Sequence, residues 1–130
     1  LNYWLIVFIL SIFFLFLLLS PSKYLKKSKK IFRISKKIKR ENPTISDRKL
    51  ILDTAECYFD SLNWNQYRIN SIVNVFRDNI SKINLKNLPI KIFYYEFPEN
   101  MNISMHKRFK RSDKIEKKVE KAYNTVFKGN

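Results

Sequence analysis

Few side chains in this 130-residue sequence could do chemistry, and they are scattered. Cys57 and His106 supply the one thiol and the one imidazole, which together would make a nucleophile and its base. Cys57 falls beside an apolar stripe, where a small buried hydrophobe is the common role. His106 stands in the basic run from Met105 to Arg108, a setting that disfavours imidazolium. Asp53, Glu56 and Asp60 share one helical flank, with Arg48 and Lys49 close enough in sequence to pair with them, so a solvated face accounts for them. One cysteine and one histidine cannot build a four-ligand zinc site, and one cysteine excludes an internal disulfide framework. A single glycine, Gly129, rules out a glycine-rich phosphate loop or dinucleotide fingerprint. No catalytic, cofactor-binding or metal-binding residue is therefore assigned, and the expectation is a chain with no enzyme activity of its own.

The pattern that organises the rest is Tyr3 to Leu19, an apolar run broken only by Ser11. As a helix it would extend about 25 Å, near the lower limit for a bilayer core of about 30 Å, and it predicts a single N-terminal transmembrane helix over residues 1–20. Tyr3 and Trp4 suit one headgroup interface, while Ser20, Pro21 and Tyr24 suit the other. No cation precedes the run, and Leu18-Leu19-Ser20-Pro21 is a poor cleavage site, which argues against a signal peptide. The stretch Lys23 to Arg40 is rich in Lys and Arg and free of acids, so the positive-inside rule places the C-terminal part on the matrix or cytoplasmic side.

Beyond the run, the expectation is mostly α. Residues 21–42 read as a basic amphipathic juxtamembrane helix, with Tyr24, Ile31, Ile34 and Ile38 at helical spacing among lysines. Residues 43–130 read as one small domain. Thr44-Ile45-Ser46-Asp47 resembles a capping box opening a helix over about 46–62. Asn63-Trp64-Asn65 marks a turn, and Ile69, Ile72, Val73, Phe76, Ile80 and Ile83 predict a second helix over about 66–84, closing an antiparallel hairpin. The β-branched and aromatic run at about 90–97 predicts one lone strand or extended segment, which needs a partner to satisfy its backbone. Glu99 to Arg111 reads as irregular, and a C-terminal helix is expected over about 113–128.

Two surfaces follow. Trp4, Lys23, Tyr24, Lys26, Lys27, Lys29, Lys30 and Arg33 are the candidates for the membrane interface and anionic lipid headgroups, cardiolipin among them. Ile92, Phe93, Tyr94, Tyr95 and Phe97 are the candidates for contact with a partner chain. The net charge of +15 demands an anionic neighbour of some kind, and nucleic acid is the alternative.

Lys, Ile, Asn, Phe and Tyr are abundant while Ala occurs only at 55 and 122, a usage that points to an AT-rich gene. Leu1 in place of Met fits a non-standard start codon, as well as a truncated or processed terminus. In this composition and layout the chain resembles the small membrane subunits of oxidative phosphorylation complexes encoded in AT-rich mitochondrial genomes. The resemblance implies a structural or accessory single-pass subunit of an inner-membrane respiratory complex or of ATP synthase, anchoring and clamping its neighbours. A peripheral-stalk subunit of the b type is the more specific version, but Pro43, Pro89 and Pro98 interrupt what should be one long helix. The alternatives are a membrane-tethered mitochondrial ribosomal or RNA-binding protein, and a location in a bacterial-type plasma membrane.

Overall fold

The computed structural model describes residues 2–19, 23–98 and 105–129, with the side chains of 16–19 and 105–112 outside the description. Helix α1 (Tyr3–Leu19) is apolar on every side. Within the run Ser11 Oγ donates to the Val7 carbonyl one turn back at 2.8 Å, so the helix carries no unsatisfied polar group at that point. The span expected here is corrected: among the described residues, no helix is long and apolar enough to cross a membrane. The reason is length, since 17 residues rise only about 25 Å against a core of about 30 Å. Ser20 and Pro21, expected at the far interface, lie outside the described residues.

Helix α2 (Lys23–Glu41) is the centre of the fold. Ser28, Ile31, Phe32 and Ser35 recur at helical spacing and are all buried, so one stripe of this lysine-rich helix faces inward. The helix expected as a basic juxtamembrane element is thus clasped within the domain. Helix α6 (Met105–Phe127) covers it most extensively, and α3 (Asp47–Ser61) covers a second side. On α6 the matching stripe is Ile115, Val119, Ala122 and Val126, and the Phe32 ring meets Tyr123 and Phe127 edge-on at 5.4 and 5.8 Å. This helix begins at Met105, inside the stretch read as irregular, while residues 99–104 lie outside the description.

Helix α3 starts at Ser46, whose hydroxyl accepts from the Lys49 N–H; Thr44 stays outside the helix and bonds Asn42 instead. Its end is a Schellman turn. The Trp64 N–H reaches the Phe59 carbonyl at 3.4 Å and the Asn63 N–H reaches Asp60 at 2.9 Å, with Asn63 in the left-handed region at φ 60°. The apolar contact that accompanies such a turn is the Trp64 ring stacked on Phe59 at 4.6 Å. Asn65 then caps α4 (Gln66–Asp78) by accepting from the Tyr67 N–H at 2.7 Å. Ile69, Ile72, Val73 and Phe76 of α4 are buried in the common core with Tyr58 and Phe59 of α3. The stripe continues to Ile83, but the helix stops at Asp78. There Asn79 shares its N–H between the Val75 and Phe76 carbonyls, and a 3₁₀ turn (Ile80–Lys82) follows.

The expected strand is a second correction, for no strand is present among the described residues. Residues Leu88–Glu96 form helix α5. Upstream, Asn84 and Asn87 exchange bonds, each backbone N–H donating to the other's side-chain oxygen at 2.8 and 2.9 Å. This reciprocal arrangement acts as a capping box and sets a helical turn before Pro89, which tolerates the first turn because that turn needs no N–H. Leu88, Ile92 and Phe93 then fall on one face and are fully buried. Burial in the core outweighs a β preference worth less than about 1 kcal/mol per residue.

These placements fix the outcome of truncation. Phe93→Ala should cost about 3–5 kcal/mol in urea unfolding, whereas Tyr94→Ala, at a half-exposed position one residue on, should cost less than about 1 kcal/mol. Ser28 Oγ is buried with no hydrogen-bond partner. Ser28→Ala should therefore raise stability by about 1 kcal/mol in the same assay.

Candidate anionic-surface interface

Because α2 turns one stripe inward, its remaining cations divide into those the fold uses and those it leaves over. Lys27 Nζ pairs with Glu96 Oε1 at 2.5 Å, and the other Glu96 oxygen accepts from the Tyr58 hydroxyl at 2.6 Å. The Glu96 side chain is only 8% exposed, so α2, α3 and α5 meet at one nearly dry carboxylate. Lys23 lies over the Phe97 ring at 4.5 Å and Lys30 over the Tyr58 ring at 5.4 Å. Lys36 donates to the Val126 carbonyl in the last turn of α6, where the helix dipole favours a cation, and Lys39 donates to the Ile45 carbonyl.

On the opposite face stand Lys26, Lys30, Arg33, Lys37 and Arg40, of which Lys30 also reaches the Tyr58 ring. Steps of three and four residues place them in one row about 21 Å long. All five residues are exposed, and none forms an ion pair among the described residues. An uncompensated row of this kind attracts closely spaced anionic groups such as phosphates.

Of the residues expected at a headgroup surface, Lys26, Lys30 and Arg33 lie on this row, and Lys29 is half-buried at its edge. Lys23 and Lys27 are engaged as described. Tyr24 turns inward, its ring edge-on to Phe93 at 5.4 Å and Phe97 at 5.5 Å, and Trp4 projects from α1 with 80% of its surface exposed. Lys37 and Arg40 extend the row beyond the expected set, and their i, i+4 and i, i+7 spacing from Arg33 was the available signal. Of the residues expected to meet a partner, Ile92 and Phe93 are sealed in the core, Tyr95 and Phe97 are half-buried, and Tyr94 is exposed.

Cys57 is exposed on α3 and not buried, the side chain of His106 lies outside the description, and no group of described residues could hold a metal ion. Glu96 was missed as a site residue. Its partners stand far away in sequence, so no local pattern announces it. The chain matches no family model, no curated protein and no solved structure.

The Glu96 node has a pH signature. Burial first, then the Glu96 hydrogen bond and charge, hold the Tyr58 phenol well above its ordinary value near 10. A raised folded pKa means that above about pH 10 the unfolded chain loses this proton while the folded one keeps it. Stability then falls by up to about 1.4 kcal/mol per pH unit from this group. Tyr58→Phe should be less stable than wild type by about 1–3 kcal/mol at neutral pH, and that gap should narrow as urea melts are repeated from pH 9 upward, on the scale of about 1.4 kcal/mol per unit.

Proposed function

We propose that this chain is a non-catalytic accessory subunit of a membrane-bound assembly, of the class of the mitochondrial inner-membrane respiratory complexes and ATP synthase. In this reading α1 is taken up by a nonpolar environment within the assembly, and the α2 cation row lies against anionic headgroups. The observation that carries it is the exposure of α1: Tyr3 to Leu10 and Ile12 to Leu15 all present large apolar side chains, between 41% and 80% exposed. About a dozen such side chains, each favouring burial by about 1.5–3 kcal/mol, make water an untenable neighbour. The helix has no polar face to turn outward, so a purely surface-lying position would leave half of it wet.

The cation row supports the same reading from the other direction. Each Lys or Arg near an anionic surface contributes about 1 kcal/mol, so five act together as a strong but salt-sensitive hold. The role drawn is mechanical: α1 anchors, α2 orients the domain on the headgroups, and the remaining helices face neighbouring subunits.

Vesicle flotation tests this with the full chain and phosphatidylcholine vesicles with or without cardiolipin. Wild type should float with both and more strongly with cardiolipin. Ile9→Asp, which places a charge in the middle of the apolar surface of α1, should weaken flotation with both. Lys26→Glu combined with Lys37→Glu should abolish only the cardiolipin preference. If the chain stays at the bottom of the gradient, or if single-stranded RNA at physiological salt removes it from cardiolipin vesicles, the lipid reading fails and the RNA-binding alternative takes its place.

A further inference from the structure

A second surface lies away from the cation row, where the end of α4, the 3₁₀ turn and α5 come together. Val75, Phe76, Ile83, Tyr94 and Tyr95 line a groove of about 350 Å³, and Lys82 and Lys91 stand on its rim. Phe76 and Ile83 form a dry floor, and the Tyr95 ring is fixed edge-on to Phe76 at 5.7 Å. Val75 and Tyr94 form walls that are 42% and 46% exposed.

We propose that this groove is a docking site for an acidic amphipathic helix of a partner polypeptide. Two apolar side chains one turn apart enter the groove, and carboxylates flanking them meet Lys82 and Lys91. Charge selects the occupant. Neither rim ammonium has an ion pair among the described residues, and no Asp or Glu lines the groove. A second copy of this chain is disfavoured as occupant because it brings a further net +15 to a basic rim. Secondary structure selects the mode. Because α5 is a helix, this region offers no sheet edge for strand addition, and the wall-and-floor geometry suits a helix laid into a groove. The inference stands apart from the lipid reading, since neither α1 nor the α2 row takes part.

The test is fluorescence anisotropy with the full chain in a neutral detergent. The probe is a labelled Ala-based helical peptide carrying Leu at two positions one turn apart with Glu at the flanking positions. The comparison probe has Lys in place of each Glu. The Glu probe should bind, the Lys probe at least tenfold more weakly. Lys82→Glu with Lys91→Glu should lower the affinity for the Glu probe at least tenfold, Lys82→Gln with Lys91→Gln by less, and Tyr94→Ser severalfold. All should keep the wild-type helical circular dichroism and the wild-type flotation on vesicles. The proposal is overturned if the Glu probe does not bind, or if the two probes bind alike. It is equally overturned if Lys26→Glu with Lys37→Glu weakens binding as much as the rim reversal, which would reduce the attraction to overall charge. Saturable binding of palmitate in place of the peptide, abolished by the rim reversal, would reassign the groove to a small anionic amphiphile.

Discussion

A helix with this many lysines is stable in the middle of a domain only because its apolar stripe is covered from two sides. Ile31 and Phe32 supply the adhesive surface on α2, while Ser28 and Ser35 keep the stripe narrow enough for α3 and α6 to approach. Ser35 returns its hydroxyl to the Phe32 carbonyl, which removes the cost of burying it. Once that stripe is satisfied, the positions of the cations are no longer free. Those beside the stripe must find acceptors or aromatic faces, as Lys27, Lys36 and Lys39 do, and those opposite it must stay in contact with whatever lies outside.

The core elements were legible in sequence where a local signal and a tertiary demand agree. The Ile69-Ile72-Val73-Phe76 stripe says helix by its spacing, and its burial against α3 uses the same residues. Ser46 caps its helix locally, within the stretch that read as a capping box. The turn at Asn63-Trp64-Asn65 was legible as a turn, but not as a Schellman motif, because that identity depends on Trp64 reaching back to stack on Phe59. Leu88 to Glu96 was illegible as a helix for an opposite reason. Its β-branched and aromatic side chains carry the wrong local preference, and only the three-sided burial of Leu88, Ile92 and Phe93 reverses it. The Asn84–Asn87 exchange was visible as two asparagines three residues apart, a weak form of the usual Ser/Thr…Glu/Gln box.

Functional surfaces divide in the same way. The row from Lys26 to Arg40 is written in the spacing of one helix and needs only the inward direction of Ile31 and Phe32 to be drawn. Tyr24 could not be assigned that way, because its place against Phe93 and Phe97 requires knowing that a segment some seventy residues on returns to α2. The Glu96 carboxylate belongs to the same class. It joins three helices through two bonds, and each partner alone looks like an ordinary surface residue in sequence.

The contrast between α1 and α2 bears on why the domain does not solve its own exposure. An amphipathic helix such as α2 can satisfy both faces within one small protein, apolar side to the core and cationic side to solvent or phosphate. Helix α1 is apolar all round, and Tyr3 to Leu15 are exposed along its length, so folding the α2–α6 domain leaves that cost standing. Covering it with domain residues would require a second apolar surface, yet the buried residues of α2 to α6 are already committed to one another. The apolar surface of α1 is therefore left uncovered by the described residues of α2 to α6. The two helices thus leave the domain with two unlike exposed surfaces, one apolar on α1 and one cationic on α2.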